Sequence, residues 1–293
     1  MMKKWLIGFW LSAGLALWAS PKPMVFVSIE AQEYWVKKIA GEGARVESLI
    51  KTGMNAHTYE PKPSTMKKLG EASLLLGIGI DYEEAWFPKF RQLYPSLKIV
   101  ALDAGMEKIE MQEHEHHDHG HKHDHKHGKL DPHVWLSVKN AQIASKVILE
   151  SLVEVDGANA AEYQSNYDRF AKELETLDQE LSLELKDLKG AHFMVFHPTW
   201  GYFARDYGLA QVAIEVEGKE PKPAQLKNLI KEAKEEGVKT IFVQKGFSQK
   251  AAAQLAKEIG AVILETDPLS AKWSEGMRSF AKAITQGEGT PKP

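Results

Sequence analysis

From Ala158 to Leu188 the chain runs for about 30 residues without a glycine or proline. Its apolar residues include Phe170, Leu174, Leu177, Leu181, Leu185 and Leu188, at the three- and four-residue spacings of one helix face. At ~1.5 Å per residue such a helix would reach roughly 45 Å, longer than one small domain. The pattern covers barely four heptads, so a helix that bridges two domains fits better than a coiled-coil arm.

On either side of that stretch, short apolar runs alternate with helical patterns. Before it, strands are expected at 24–29, 44–50, 73–78 and 98–102, with helices at 32–40, 64–71 and 83–93. A further helix, 138–155, ends at Asp156 and Gly157. After it, strands are expected at 192–196, 212–216, 240–243 and 261–265. The helices of this half are expected at 199–207, 224–236, 250–259 and 272–285. Strands that alternate with helices imply parallel sheets covered on both faces. The expected fold is therefore two parallel-sheet α/β domains, residues 21–157 and 189–293, joined by a long linker helix over 158–188.

The first 20 residues read as a secretory signal peptide. Lys3 and Lys4 precede an apolar stretch from Trp5 to about Trp18, followed by small residues and Pro21. That stretch is short for a membrane span, which needs about 20 apolar residues. Removing the leader takes away two lysines and shifts the net charge from −3 to about −5. Mild acidity argues against nucleic acid as a partner. With no cysteine, any metal site must use nitrogen and oxygen donors, which suits Zn²⁺ or another borderline first-row ion.

Residues 113–128 read EHEHHDHGHKHDHKHG. His114, His116, His117, His119, His121, His123, His125 and His127 account for eight of the twelve histidines. The segment has no apolar residue to bury, so a packed core has no use for it. Imidazole is the commonest metal ligand and is mostly neutral at neutral pH. The tract is read as a loop that binds metal weakly at several auxiliary positions. A single selective site must then come from His57, His133, His192 and His197. His192 falls inside a predicted strand and is read as structural. His57, His133 and His197 fall in loops that follow strands, and Asp267 directly follows the last strand. Ligands bind at the carboxyl ends of parallel strands. Two domains that face each other can bring these four groups together as three imidazoles and a carboxylate. Each also has a plain explanation, as a solvated loop histidine or an aspartate bracing a turn.

Their motifs resemble a family. Gly53, His57, Tyr59 and Pro63 are followed by the acidic histidine-rich loop, then by Asp131, Pro132, His133 and Trp135. The run from Phe196 to Phe203 comes next, and Asp267-Pro268-Leu269 stands near the end. This order is similar to that of the zinc-type, ZnuA-like solute-binding proteins of bacterial ABC importers, over essentially the whole chain after the leader. The resemblance implies a cleft between two α/β domains on a rigid connecting helix, with small opening movements. It implies His57, His133 and His197 as zinc ligands, with Asp267 or water as the fourth. It also implies a monomer outside the cytoplasmic membrane that delivers Zn²⁺ to an ABC-type permease. The family's manganese branch carries glutamate where His197 stands, and manganese prefers oxygen-rich sites. Ala56 stands where some zinc members have a glutamate.

A zinc-dependent hydrolase is the main competitor from another class, since a catalytic zinc also takes three protein ligands. No H-E-x-x-H motif is present. Gly77 and Gly79 lack the third glycine of a dinucleotide loop. A passive metal buffer that uses the tract alone is a second competitor, and a manganese or broad-specificity importer component is a third. Deleting 114–127 is expected to remove several weak zinc sites and leave one tight one, as read by isothermal titration; loss of the tight site as well would contradict the assignment.

Overall fold

The computed structural model describes residues 21–111, 129–216, 218–244 and 249–287, with the backbone alone for His57. The leader and the histidine tract lie outside the described residues. The first lobe contains β1 (Met24–Ile29), α1 (Glu30–Ala40), β2 (Arg45–Ile50), α2 (Pro63–Leu69), β3 (Leu74–Gly77), α3 (Asp81–Leu93) and β4 (Lys98–Ala101). Helix α4 (Val138–Val155) completes it. After α5 (Ala160–Glu184) the second lobe follows: β5 (His192–Val195), α6 (Gly201–Tyr207), β6 (Ala210–Ala213), α7 (Pro223–Glu235), β7 (Thr240–Gln244), α8 (Lys250–Ile259), β8 (Val262–Thr266) and α9 (Trp273–Gly287). Among the described residues, the named strands pair in parallel, in the orders β2-β1-β3-β4 and β6-β5-β7-β8. The two lobes share one topology. Each strand order reverses at its middle pair, where open α/β sheets leave a crevice beyond the strand ends.

The long linker helix is present as expected: α5 covers 25 residues, and 3₁₀ turns at Gly157–Asn159 and Lys186–Leu188 carry it on at either end. At ~1.5 Å per residue α5 itself reaches roughly 37 Å. One expectation needs correction. The sixth strand starts at Ala210, not 212. Gly208, at φ +72°, caps α6 in the left-handed conformation and turns the chain into the sheet early.

Helix α5 buries Tyr163, Phe170, Leu174, Leu177 and Leu181. It packs on α1 and α4 of the first lobe and on α9. One core runs continuously from the first sheet through this helix to Phe193, Phe203, Phe242 and Phe280. A separate cluster including Met194, Ile214, Ile241 and Leu255 fills the other face of the second sheet. The period-two alternation of β5 divides it between them: Phe193 and Val195 face one core, Met194 the other.

Sequence reading missed a second bridge. Helix α9 returns to the first lobe. Trp273 meets Trp35 edge-to-face at 5.4 Å between ring centroids. Its Nε1–H donates to the Trp135 carbonyl at 2.8 Å, and Trp135 Nε1–H donates to the Pro268 carbonyl at 2.8 Å. Three buried contacts thus tie the lobes beside the cleft. No helix among the described residues is long and apolar enough to cross a membrane. Replacing Leu181, 1% exposed, with alanine is expected to cost about 2–5 kcal/mol, read as a lower midpoint in urea unfolding.

Candidate metal centre

The carboxyl ends of both sheets converge on one small cavity. Gly53, Met54, Ala56, His133 and Trp135 line it from the first lobe; His197, Thr199, Gln244 and Asp267–Leu269 line it from the second. Its volume is about 30 Å³, and one water needs roughly 10–15 Å³ of such space. An ion with a water or two fits; a sugar or an amino acid does not.

Each imidazole in the cavity is held by a carboxylate. The segment after β4 returns at Asp131, which is 1% exposed. Its Oδ1 accepts both the His133 amide, at 2.8 Å, and His133 Nδ1, at 2.7 Å. The chain turns tightly here because Asp131 bonds two residues ahead. His197 follows β5, and its Nδ1 lies 2.6 Å from Oε1 of Glu215, which follows β6. In the neutral form, a proton on Nδ1 facing a carboxylate leaves the lone pair on Nε2, the arrangement found in metal-ligating histidines. The two rings sit 5.2 Å apart between centroids, at 79°. Imidazoles sharing one tetrahedral zinc, with Zn–N of ~2.0–2.1 Å, would hold their centroids roughly 5 Å apart.

The surrounding motif residues brace this pair. A Cβ on Gly201 would lie 2.7 Å from Asp131 Oδ2, so only glycine lets α6 approach that carboxylate. Tyr202 donates its hydroxyl to the Asp131 carbonyl at 2.7 Å. Trp200 stacks on Phe280 at 3.6 Å. The aromatic run after His197 therefore fastens the His133 turn to the second lobe.

Asp267 lines the same cavity but is engaged elsewhere. Its Oδ2 accepts the Thr52 hydroxyl at 3.0 Å, and its Oδ1 accepts the Leu269 amide at 3.1 Å. Among the described residues, no three His, Asp or Glu side chains are grouped closely enough to hold an ion. The His57 backbone lies in a 3₁₀ turn, Ala56–Thr58, whose Ala56 lines the cavity. The eight tract histidines lie outside the described residues. His192 opens β5, away from this site, with Nδ1 2.6 Å from Glu236. Sequence reading did not identify Glu215, Thr52, Thr199 or Gln244. Asp131 carried a local signal, two residues before a histidine; Glu215 carried none, because its partner lies 18 positions away.

The Gly77-x-Gly79 turn is not a phosphate cradle. The Ile78 and Gly79 amides donate to buried Glu83 at 2.8 and 3.0 Å, and the Ser28 hydroxyl joins them at 2.5 Å. Burial pushes the Glu83 carboxyl above its ordinary range.

Two like lobes closed on an ion-sized cavity define a metal-binding protein of the solute-capturing kind. The family model for ZnuA, the periplasmic component A of the zinc-uptake complex, matches residues 25–287, and the chain belongs to that family. The high-affinity zinc uptake system protein ZnuA of Bacillus subtilis is 35% identical over 231 residues, 78% of this chain and 72% of that protein. The iron-binding protein YfeA of Yersinia pestis is 30% identical over 241 residues, 80% of this chain and 74% of that protein. A crystal structure of ZnuA superposes with a TM-score of 0.83 at 37% identity, covering 91% of this chain and 99% of that one. The family consists of substrate-binding components and not enzymes, which removes the hydrolase from contention.

Replacing Glu215 with glutamine keeps the shape of the His197 contact and removes its charge. Metal affinity is expected to fall about 10–100-fold, as measured by competition with a chelating dye.

Proposed function

We propose that this protein captures Zn²⁺ outside the cytoplasmic membrane and hands it to an ABC-type permease for import. The observation that carries the reading is the buried pair His133 and His197, each with a carboxylate on Nδ1, facing one another in an ion-sized cavity. His57 is the third nitrogen donor in this proposal, and Asp267 or water takes the fourth position. Zinc suits a site dominated by imidazole, and cysteine-free nitrogen and oxygen donation is well within its range. The zinc uptake named for the Bacillus subtilis relative supports this choice. The iron binding named for the Yersinia pestis relative supports a second reading, an importer component of broader ion range.

The proposed organisation is an export leader over 1–20, lobes over 21–157 and 189–293, and the 158–188 linker, working as a monomer. The histidine tract, 113–128, would collect zinc near the cleft or sense its abundance. Rigid bridging by α5 and α9 favours a small local opening over separation of the lobes. Replacing His197 with alanine is expected to abolish tight zinc binding in titration calorimetry and zinc uptake in cells. Full uptake by that variant would favour a passive buffer.

A further inference from the structure

Thr52 stands just beyond β2 in the first lobe, yet its hydroxyl donates to Asp267 Oδ2 in the second, at 3.0 Å. Thr52 cannot easily swing with its partner. Its own amide donates to Glu30 Oε2 at 2.6 Å, which pins it to the start of α1. The other oxygen of Asp267 is taken by the Leu269 amide at 3.1 Å. The carboxylate is thus clamped from both lobes at the wall of the cavity that His133 and His197 share. It does not join those two imidazoles in an ion-holding group.

We infer that Thr52 is a specificity-setting positioning residue: its hydroxyl competes with the cation for Oδ2 of Asp267 and so limits how much oxygen character the site offers. This rests on the metal-capture reading above. A hydrogen bond to a charged group is stronger than one between neutral groups. Thr52 is pinned to the start of α1, so drawing the carboxylate off the wall onto a cation stretches that bond. An ion satisfied by imidazole and one water loses little by leaving Asp267 where it is. An ion that wants several hard oxygens loses more. The hydroxyl therefore discriminates against oxygen-preferring ions without touching the cargo.

The test uses the full-length protein after export, titrated separately with Zn²⁺ and Mn²⁺ by competition with a chelating dye. Thr52→Val removes the hydroxyl at nearly constant shape, and Thr52→Ala repeats the removal with a smaller side chain. Thr52→Ser restores the donor. Either hydroxyl-free variant is expected to bind Mn²⁺ about tenfold more tightly, with Zn²⁺ changed less than about threefold. Thr52→Ser should match the parent. The gain should vanish in an Asp267→Asn background, and manganese-edge absorption spectra of Thr52→Val should show an added oxygen donor. An unchanged Mn²⁺-to-Zn²⁺ ratio in both hydroxyl-free variants overturns the inference, as does a gain that survives in Asp267→Asn. If the parent protein binds neither ion, the capture reading fails, and this inference fails with it.

Discussion

A parallel sheet sends the carboxyl ends of all its strands to one edge, and the whole arrangement follows from that constraint. Both sheets here are entirely parallel and share one strand order. When α5 and α9 hold the lobes together, the two edges oppose each other. The groups that line the cavity sit just past strand ends: Gly53 after β2, His197 after β5, Gln244 at the end of β7 and Asp267 after β8. Glu215, just past β6, supports His197 from the same edge. No single helix or loop could gather this set.

Rigidity is the second consequence. The α5 stripe is buried against helices of both lobes, and the Trp135–Pro268 and Trp273–Trp135 hydrogen bonds stitch the lobes beside the cavity. A tryptophan N–H buried at such a contact must find an acceptor, so these bonds are costly to open. They tie the turn that carries His133 to the segment that carries Asp267. The imidazole pair is thereby held in place by packing of both lobes.

Much of the architecture was legible in the sequence because it rests on periodicity. Runs such as 24–29 and 98–101 become strands where apolar branched residues recur, and 138–155 becomes a helix with Ser137 capping it through the Asn140 amide. The sixth strand was misplaced because a glycine conformation, not an apolar run, decides where it starts. In the site, His133 and His197 could be singled out by their loop positions. Glu215 could not, since a pairing 18 residues apart exists only once β5 and β6 lie side by side. Thr52 is more remote still, 215 positions from Asp267.

The amino-acid order alone determined that this chain builds two α/β halves around a long helix, that it has no thiolate chemistry to offer, and that the groups it can offer an ion are imidazole and carboxylate. Hydrophobic period and residue type are local properties, so they survive without a fold. Tertiary structure alone decided which of those donors share a cavity, which carboxylate holds which ring, and that α9 crosses back to fasten the lobes. Those are long-range contacts, made only when the packing of buried apolar surface has set the two sheet edges face to face.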